Sequence, residues 1–277
     1  AAGAVVIGKT TTSEFGCKPV GDSPLTGITR NPWNRDKTPG GSSAGAGASI
    51  AAGVTPFGLG TDGGGSIRIP ASLTGLAGIK GSFARVPVSP TPATPTLAHV
   101  GPMARNMRDA ALLFSAIAGY DARDPFGIAG DVPDVVAACE QSVEGMRIAW
   151  SPTLGYAKPD AEVVEIVEAA VRKFEDAGAH VEQVDDVFAE DPADLWSAEF
   201  YAGVGIKLRA VLENQRDMLD PAVADILEPA LGQEMRDYYT KVFERYVLRD
   251  RMTAMFEKYD ALISPVLPVS SVDAGVN

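Results

Sequence analysis

Residues 40–81, GGSSAGAGASIAAGVTPFGLGTDGGGSIRIPASLTGLAGIKG, constrain the fold more than any other part of the 277-residue chain. The stretch is dense in glycine, serine and alanine, yet it carries Ile50, Val54, Phe57, Leu59, Ile67, Ile69, Leu73, Leu76 and Ile79. A flexible Gly/Ser linker lacks such large apolar residues. Each glycine cluster is therefore expected to be a turn inside a packed core. Glycine serves where the backbone takes positive φ or approaches a ligand closely, and Gly63-Gly64-Gly65 leading into Ser66 sets consecutive amides beside a hydroxyl. That layout suits an oxyanion hole next to a nucleophile.

The runs Gly40-Gly41-Ser42-Ser43 and Gly60-Thr61-Asp62-Gly63-Gly64-Gly65-Ser66-Ile67-Arg68 resemble the hallmark of the amidase signature family. The likeness extends through VVIGKTTTSEFG and NPWNRDKTPGG upstream and HVGPMARNMRDAALLFSAIAG downstream, and so covers roughly residues 1–120. It implies an α/β fold, a mixed β-sheet core covered by helices on both faces, and amide hydrolysis by a Ser, cis-Ser, Lys triad without metal or cofactor. Ser66 takes the nucleophile position, and Ser42, 24 residues earlier, takes the bridging serine with its cis peptide. The amides of Gly63, Gly64, Gly65 and Ser66 take the oxyanion hole. Ser43, Thr61, Asp62 and Arg68 support the site, with Arg68 expected to pair with Asp62. In the family the lysine lies upstream of the Gly-Lys-Thr position, which Lys9 occupies here. The chain is thus expected to be an internal piece of an amidase that lacks its base and is inactive alone. The glutaminase component of a tRNA-dependent amidotransferase stays open as an alternative, although that component's usual Lys-Pro-Thr reads Lys80-Gly81-Ser82 here. A non-catalytic scaffold of the same fold is the third reading.

Composition narrows the partners. A net charge of −12 argues against a nucleic-acid surface, which needs clustered Lys and Arg. No apolar run approaches the ~18–20 residues that span a bilayer. The two cysteines, Cys17 and Cys139, cannot build a disulfide framework and suit a reducing, cytoplasmic setting. The expected partner is a small-molecule amide, with a homodimer left open.

Two other motifs compete. Gly3 to Thr10 fits the GxxxxGKT phosphate-binding pattern, but Ala4-Val5-Val6-Ile7 is a β-branched run that reads as a buried strand ending at Gly8. Gly41-Ser42-Ser43-Ala44-Gly45 fits a nucleophile elbow, which would nominate Ser43. That elbow needs a strand before it, and Pro32 and Pro39 argue against one. Of the two histidines it could recruit, His99 and His180, each reads as structural.

Along the rest of the chain, residues 11–39 read as loop, with a short helix at TSEFG capped by Ser13 or Thr12 and with Trp33 as a packing anchor. Residues 43–53 read as a tight helix ending at Gly53, residues 55–60 as a short buried strand and residues 70–80 as a small-residue helix and turn. Residues 86–102, with five prolines, read as irregular extended chain, and residues 106–118 as an amphipathic helix stopped by Gly119. Residues 147–184 read as a strand, helix, strand unit with a parallel pair, whose helix buries Val163, Ile166, Val167, Ala170, Val171 and Phe174. Residues 190–258 read as helical. Within them Trp196, Phe200, Tyr201, Tyr238 and Tyr239 are candidates to line a pocket, each read as core. A buried strand is expected at 261–265. No linker interrupts the chain, so one domain is expected.

Overall fold

The computed structural model describes residues 3–276. In chain order come β1 (Asp22–Ser23), β2 (Gly27–Ile28), α1 (Ala44–Ala51), β3 (Phe57–Asp62), α2 (Arg68–Thr74), β4 (Ala77–Gly78), β5 (His99–Ala104), α3 (Met107–Ile117) and α4 (Val135–Ala138). They are followed by β6 (Arg147–Trp150), α5 (Ala161–Asp176), β7 (His180–Gln183), α6 (Ala193–Asn214), α7 (Pro221–Ala230), α8 (Met235–Lys258) and β8 (Ala261–Ile263). The fold is α/β with antiparallel and parallel sheets. Two compact units emerge: one holds the chain up to Glu140, Glu199–Gly232 and the segment from Ser271, the other Gln141–Ala198 and Gln233–Ser270.

In the first unit β5 is the central strand of an antiparallel sheet ordered β3-β5-β4. Its register sets Gly60 opposite Gly101 and Asp62 opposite His99, so the signature segment leaves the sheet at the end of β3. Alanines and glycines make α1 a thin helix, and a Cβ on Gly47 would stand 3.0 Å from Pro70 of α2. Close approach lets Ala46 and Ile50 of α1 meet Ala71 of α2, the preceding Ile67 and Met103 of β5 in one core, with Leu76 at its edge. Burying side chains the size of Ile50, Ile67 and Met103 contributes about 1.5–3 kcal/mol each. The helix α2 stops at Gly75, whose left-handed φ of 70° a side chain would resist. Downstream, Asn106 caps α3 by accepting from the Asp109 amide at 2.8 Å, and Ala110, Ala111, Leu113 and Phe114 form its buried face.

In the second unit β6 lies between β7 and β8 and runs parallel to both. The strand, helix, strand unit expected from sequence is present as β6, α5 and β7. Central placement explains why Ile148, Ala149 and Trp150 are buried. Of the apolar stripe expected on α5, Val171 is buried whereas Ile166 is 63% exposed.

Several expectations fail for identifiable reasons. Ala4–Ile7 is no strand: Val5, Val6 and Ile7 are 84%, 88% and 71% exposed, because a strand needs a ladder neighbour and none of the described residues supplies one. With neither a strand before Gly8 nor an α-helix directly after Thr10, the phosphate-loop geometry is absent too. Trp33 is 74% exposed instead of anchored in a core, and its Nε1–H donates to the Thr74 carbonyl at 2.8 Å. At Glu14–Gly16 a 3-10 turn forms as expected, but the Ser13 hydroxyl does not cap it and donates to the Lys18 carbonyl instead. Residues 99–102 belong to β5 and not to irregular chain. Proline usually avoids central strands, but Pro102 faces Ile79, one residue past the end of β4, where its carbonyl accepts the Ile79 amide at 3.0 Å. The position that lacks an N–H thus faces the chain just past the end of β4.

Candidate active site

The Gly41–Ser42 peptide is cis. Ser42 and Ser43 follow it into the start of α1, both buried. The 13–21 segment covers this turn closely: the Ser13 amide donates to the Ser42 carbonyl at 3.4 Å, and a Cβ on Gly41 would collide with the Val20 carbonyl. From the same segment Gly16 faces the Ser42 hydroxyl, with room for a Cβ only at 3.4 Å.

Ser43 ties this turn to the second serine loop. Its amide donates to the Ser66 carbonyl at 3.4 Å, and its hydroxyl accepts the Thr61 amide at 3.2 Å and donates to the Thr61 carbonyl at 3.4 Å. A hydroxyl committed in this way stabilises the loops and is poorly placed to attack. Through Ser43 the Ser42–Ser43 turn is thus joined to the loop of Ser66, although Ser42 and Ser66 are 24 residues apart in sequence. Ser66 is half-buried and Gly64 exposed, so this loop opens to solvent while Ser42 does not.

Asp62 shapes the glycine loop from below. Its fully buried carboxylate accepts the Gly65 amide at 2.7 Å, the Ile67 amide at 3.3 Å and the Arg68 guanidinium at 2.9 and 2.8 Å. Burial alone would raise its pKa, but Arg68 and the loop amides outweigh that and hold the carboxyl below its ordinary range. The pairing of Arg68 with Asp62 expected from sequence is therefore observed. The Gly65 amide, expected among the oxyanion donors, is given to Asp62.

Lys80 and His99 complete the electrostatics. Burial and then the nearby Arg68 charge push the Lys80 amine down, against the pull of Asp62. Burial followed by Lys80 lowers His99, whose Nδ1 meets the Leu97 carbonyl at 2.7 Å and the Asp62 carbonyl at 3.2 Å. Both contacts tie the His99 ring to backbone carbonyls beside the glycine loop. Sequence reasoning missed Lys18, whose buried amine donates to Asp22 at 2.6 Å and Asp220 at 2.5 Å. Its Asp220 partner lies 202 residues away, a separation that no local pattern signals. Phe200, read as core from the sequence, is buried, but its contact with Gly63, which meets its ring edge, was not legible.

The amidase family model matches residues 1–277. The chain belongs to the amidase signature family. Its relatives include an acylamidase of Rhodococcus erythropolis, 34% identical over 279 residues that cover 96% of this chain and 56% of that protein. Among solved structures, a bacterial aryl acylamidase described as an amidase signature enzyme superposes with a TM-score of 0.90 at 30% identity, over 97% of this chain and 57% of that one. A glutamyl-tRNA(Gln) amidotransferase component from Thermotoga maritima superposes with a TM-score of 0.77 at 26% identity, over 99% and 60%. The chain thus spans little more than half the length of these amidase signature proteins.

Proposed function

We propose that the chain is the catalytic-core portion of an amidase that hydrolyses a small carboxylic amide through a serine acyl-enzyme. The observation that carries this reading is the hydrogen bond from the Ser43 amide to the Ser66 carbonyl, which joins the cis Gly41–Ser42 turn to the glycine loop. Ser66 is the nucleophile, being the half-buried serine beside the glycine amides. Serine needs a base to become nucleophilic. Ser42 passes the Ser66 proton to a lysine as the Ser66 Oγ bonds to the amide carbonyl carbon. The amides of Gly63, Gly64 and Ser66 stabilise the oxyanion, and the loss of one such donor typically costs about 10²–10³ in rate. The C–N bond then breaks, Ser42 returns a proton to the leaving amine, and water hydrolyses the ester.

The base in this reading is the lysine that the family resemblance sets upstream of the Gly-Lys-Thr position of Lys9. Lys18 is unsuited, because the carboxylates of Asp22 and Asp220 overcome burial and hold its amine above the ordinary lysine value. Lys37 is likewise engaged, by Asp273 at 2.7 Å. The closer superposition on the aryl acylamidase than on the amidotransferase component favours a free-standing amidase.

The test is Ser66→Ala in the full-length protein, read by hydrolysis of aryl and alkyl amides and by labelling with a serine-directed fluorophosphonate. Hydrolysis should fall by about 10⁵–10⁶-fold, as for nucleophile removal in other serine hydrolases, and the label should vanish. Retention of the wild-type rate would overturn the reading.

A further inference from the structure

Gly63 has a neighbour that its motif does not require. A Cβ built on it would stand 2.8 Å from Cε2 and 3.3 Å from Cδ2 of Phe200, with the Leu97 carbonyl at 3.9 Å. Its φ lies outside the left-handed region, so backbone conformation does not demand glycine here. The aromatic ring does.

The ring is itself held on several sides. Glu199, the preceding residue of α6, is buried and accepts the Thr96 amide at 3.1 Å and the Thr96 hydroxyl at 2.6 Å. One turn on, Gly203 presses against the Ala93 carbonyl, and Gly205 would bring a Cβ to 3.2 Å from the Leu227 carbonyl. Phe200 also meets Tyr201 edge to face, with centroids 5.5 Å apart at 89°. The 93–97 segment and this part of α6 therefore form a fixed wall, and Phe200 is the point at which it touches the glycine loop.

We propose that Phe200 is a positioning residue that holds the oxyanion loop in place by packing against Gly63. The proposal rests on the serine-amidase reading above. Amides that stabilise an oxyanion must stay aimed at the place where charge develops, and misplacement by about 1 Å costs on the order of 10²-fold in rate. The site has no side chain at 63 with which to brace itself. Phe200 supplies the brace from a different element, so its loss acts on the chemical step and not on substrate capture.

The experiment is a double-mutant cycle in the full-length protein with Gly63→Ala, Phe200→Ala and both together. Phe200→Ala should lower kcat by about 10–100-fold with KM changed less than about threefold, since an interaction felt only in the transition state moves kcat. Gly63→Ala, whose methyl collides with the ring and displaces the loop, should lower kcat at least about tenfold further than Phe200→Ala. The double variant should regain at least about tenfold over Gly63→Ala, because the clash is gone. A merely structural Phe200 would lower the melting temperature without this rescue. Should Phe200→Ala not fold, Phe200→Leu, which keeps apolar bulk without the ring edge, reads the same coupling. Gly63→Ala at wild-type kcat, or a folded double variant no better than Gly63→Ala, would overturn the proposal. Ser66→Ala run alongside separates the two readings: if it stays active the serine mechanism fails, whereas an inactive Ser66→Ala without coupling removes only the role of Phe200.

Discussion

Arg68 holds Asp62 at two points, Nε to Oδ2 at 2.9 Å and Nη2 to Oδ1 at 2.8 Å. The Asp62 side chain is fully buried and that of Arg68 is 46% exposed, so the partners are not equivalent. Arg68→Ala should destabilise the protein by about 2–3 kcal/mol, less than the ~3–5 kcal/mol of a wholly buried pair, since water reaches the guanidinium. Asp62→Ala should cost more, because the Gly65 and Ile67 amides lose their acceptor too. Urea unfolding of the two variants gives this ranking, and the reverse order would show that the loop does not depend on the carboxylate.

The same pair sets an acid limb. The folded Asp62 pKa lies below its unfolded value, so its contribution to stability is complete above the ordinary carboxyl pKa and is lost as pH falls toward the folded one. Unfolding free energies from pH 7 to pH 3 should therefore drop less steeply in Arg68→Ala than in wild type. Parallel curves would assign the acid limb to other carboxylates.

Lys18 is a case of opposite sign. Its side chain is 9% exposed, and its partners Asp22 and Asp220 are 11% and 5% exposed. Lys18→Met leaves two buried carboxylates without their shared cation and should cost about 3–5 kcal/mol in thermal or denaturant unfolding. The folded amine pKa is raised, so the wild-type contribution is complete below the unfolded lysine pKa and is lost as pH rises through the folded value. The gap between wild type and Lys18→Met should hold at pH 7–9 and narrow above pH 10.

What the sequence disclosed follows the range of the interactions. The pairing of Asp62 with Arg68 was legible because the two residues flank one loop, six positions apart. The same holds for α1, α3 and the β6-α5-β7 unit, where apolar spacing and capping residues are local signals. The contacts of Asp220 and Phe200 were not legible, since each residue meets its partner, Lys18 or Gly63, across more than 130 residues and no local pattern marks the encounter. Val5-Val6-Ile7 shows the converse error. Strand propensity was read correctly from β-branched residues, but a strand also needs a neighbour, and pairing is not a property of the segment.

Gly101 tests how far β5 relies on close approach. A Cβ there would collide with the Ile79 carbonyl and stand 2.9 Å from Ile67 Cδ1. Gly101→Ala must push the central strand away from the chain leaving β4, or displace a core isoleucine, at a typical overpacking cost of about 1–3 kcal/mol. Denaturant melts should show that loss. A neutral result would mean that the sheet shifts freely at this point.

The two thiols offer a direct test of how firmly the 13–21 segment covers the bridging serine. Cys139 is exposed, whereas Cys17 is buried and adjoins Gly16, which faces the Ser42 hydroxyl. Burial, reinforced by the charge of Glu14, pushes the Cys17 thiol up to about 12. Thiolate is the reactive form, so at pH 8 Cys17 holds on the order of 10³-fold less of it than an ordinary thiol of pKa ~8.5. Ellman's reagent should release one equivalent rapidly from the native chain and the second only in denaturant. Fast release of both would mean that the segment opens in the native state, exposing Ser42 along with Cys17. Slow release that accelerates in Lys18→Met would identify the Lys18 ion cluster as what keeps the segment closed, since Lys18 follows Cys17 directly and ties the segment to Asp220.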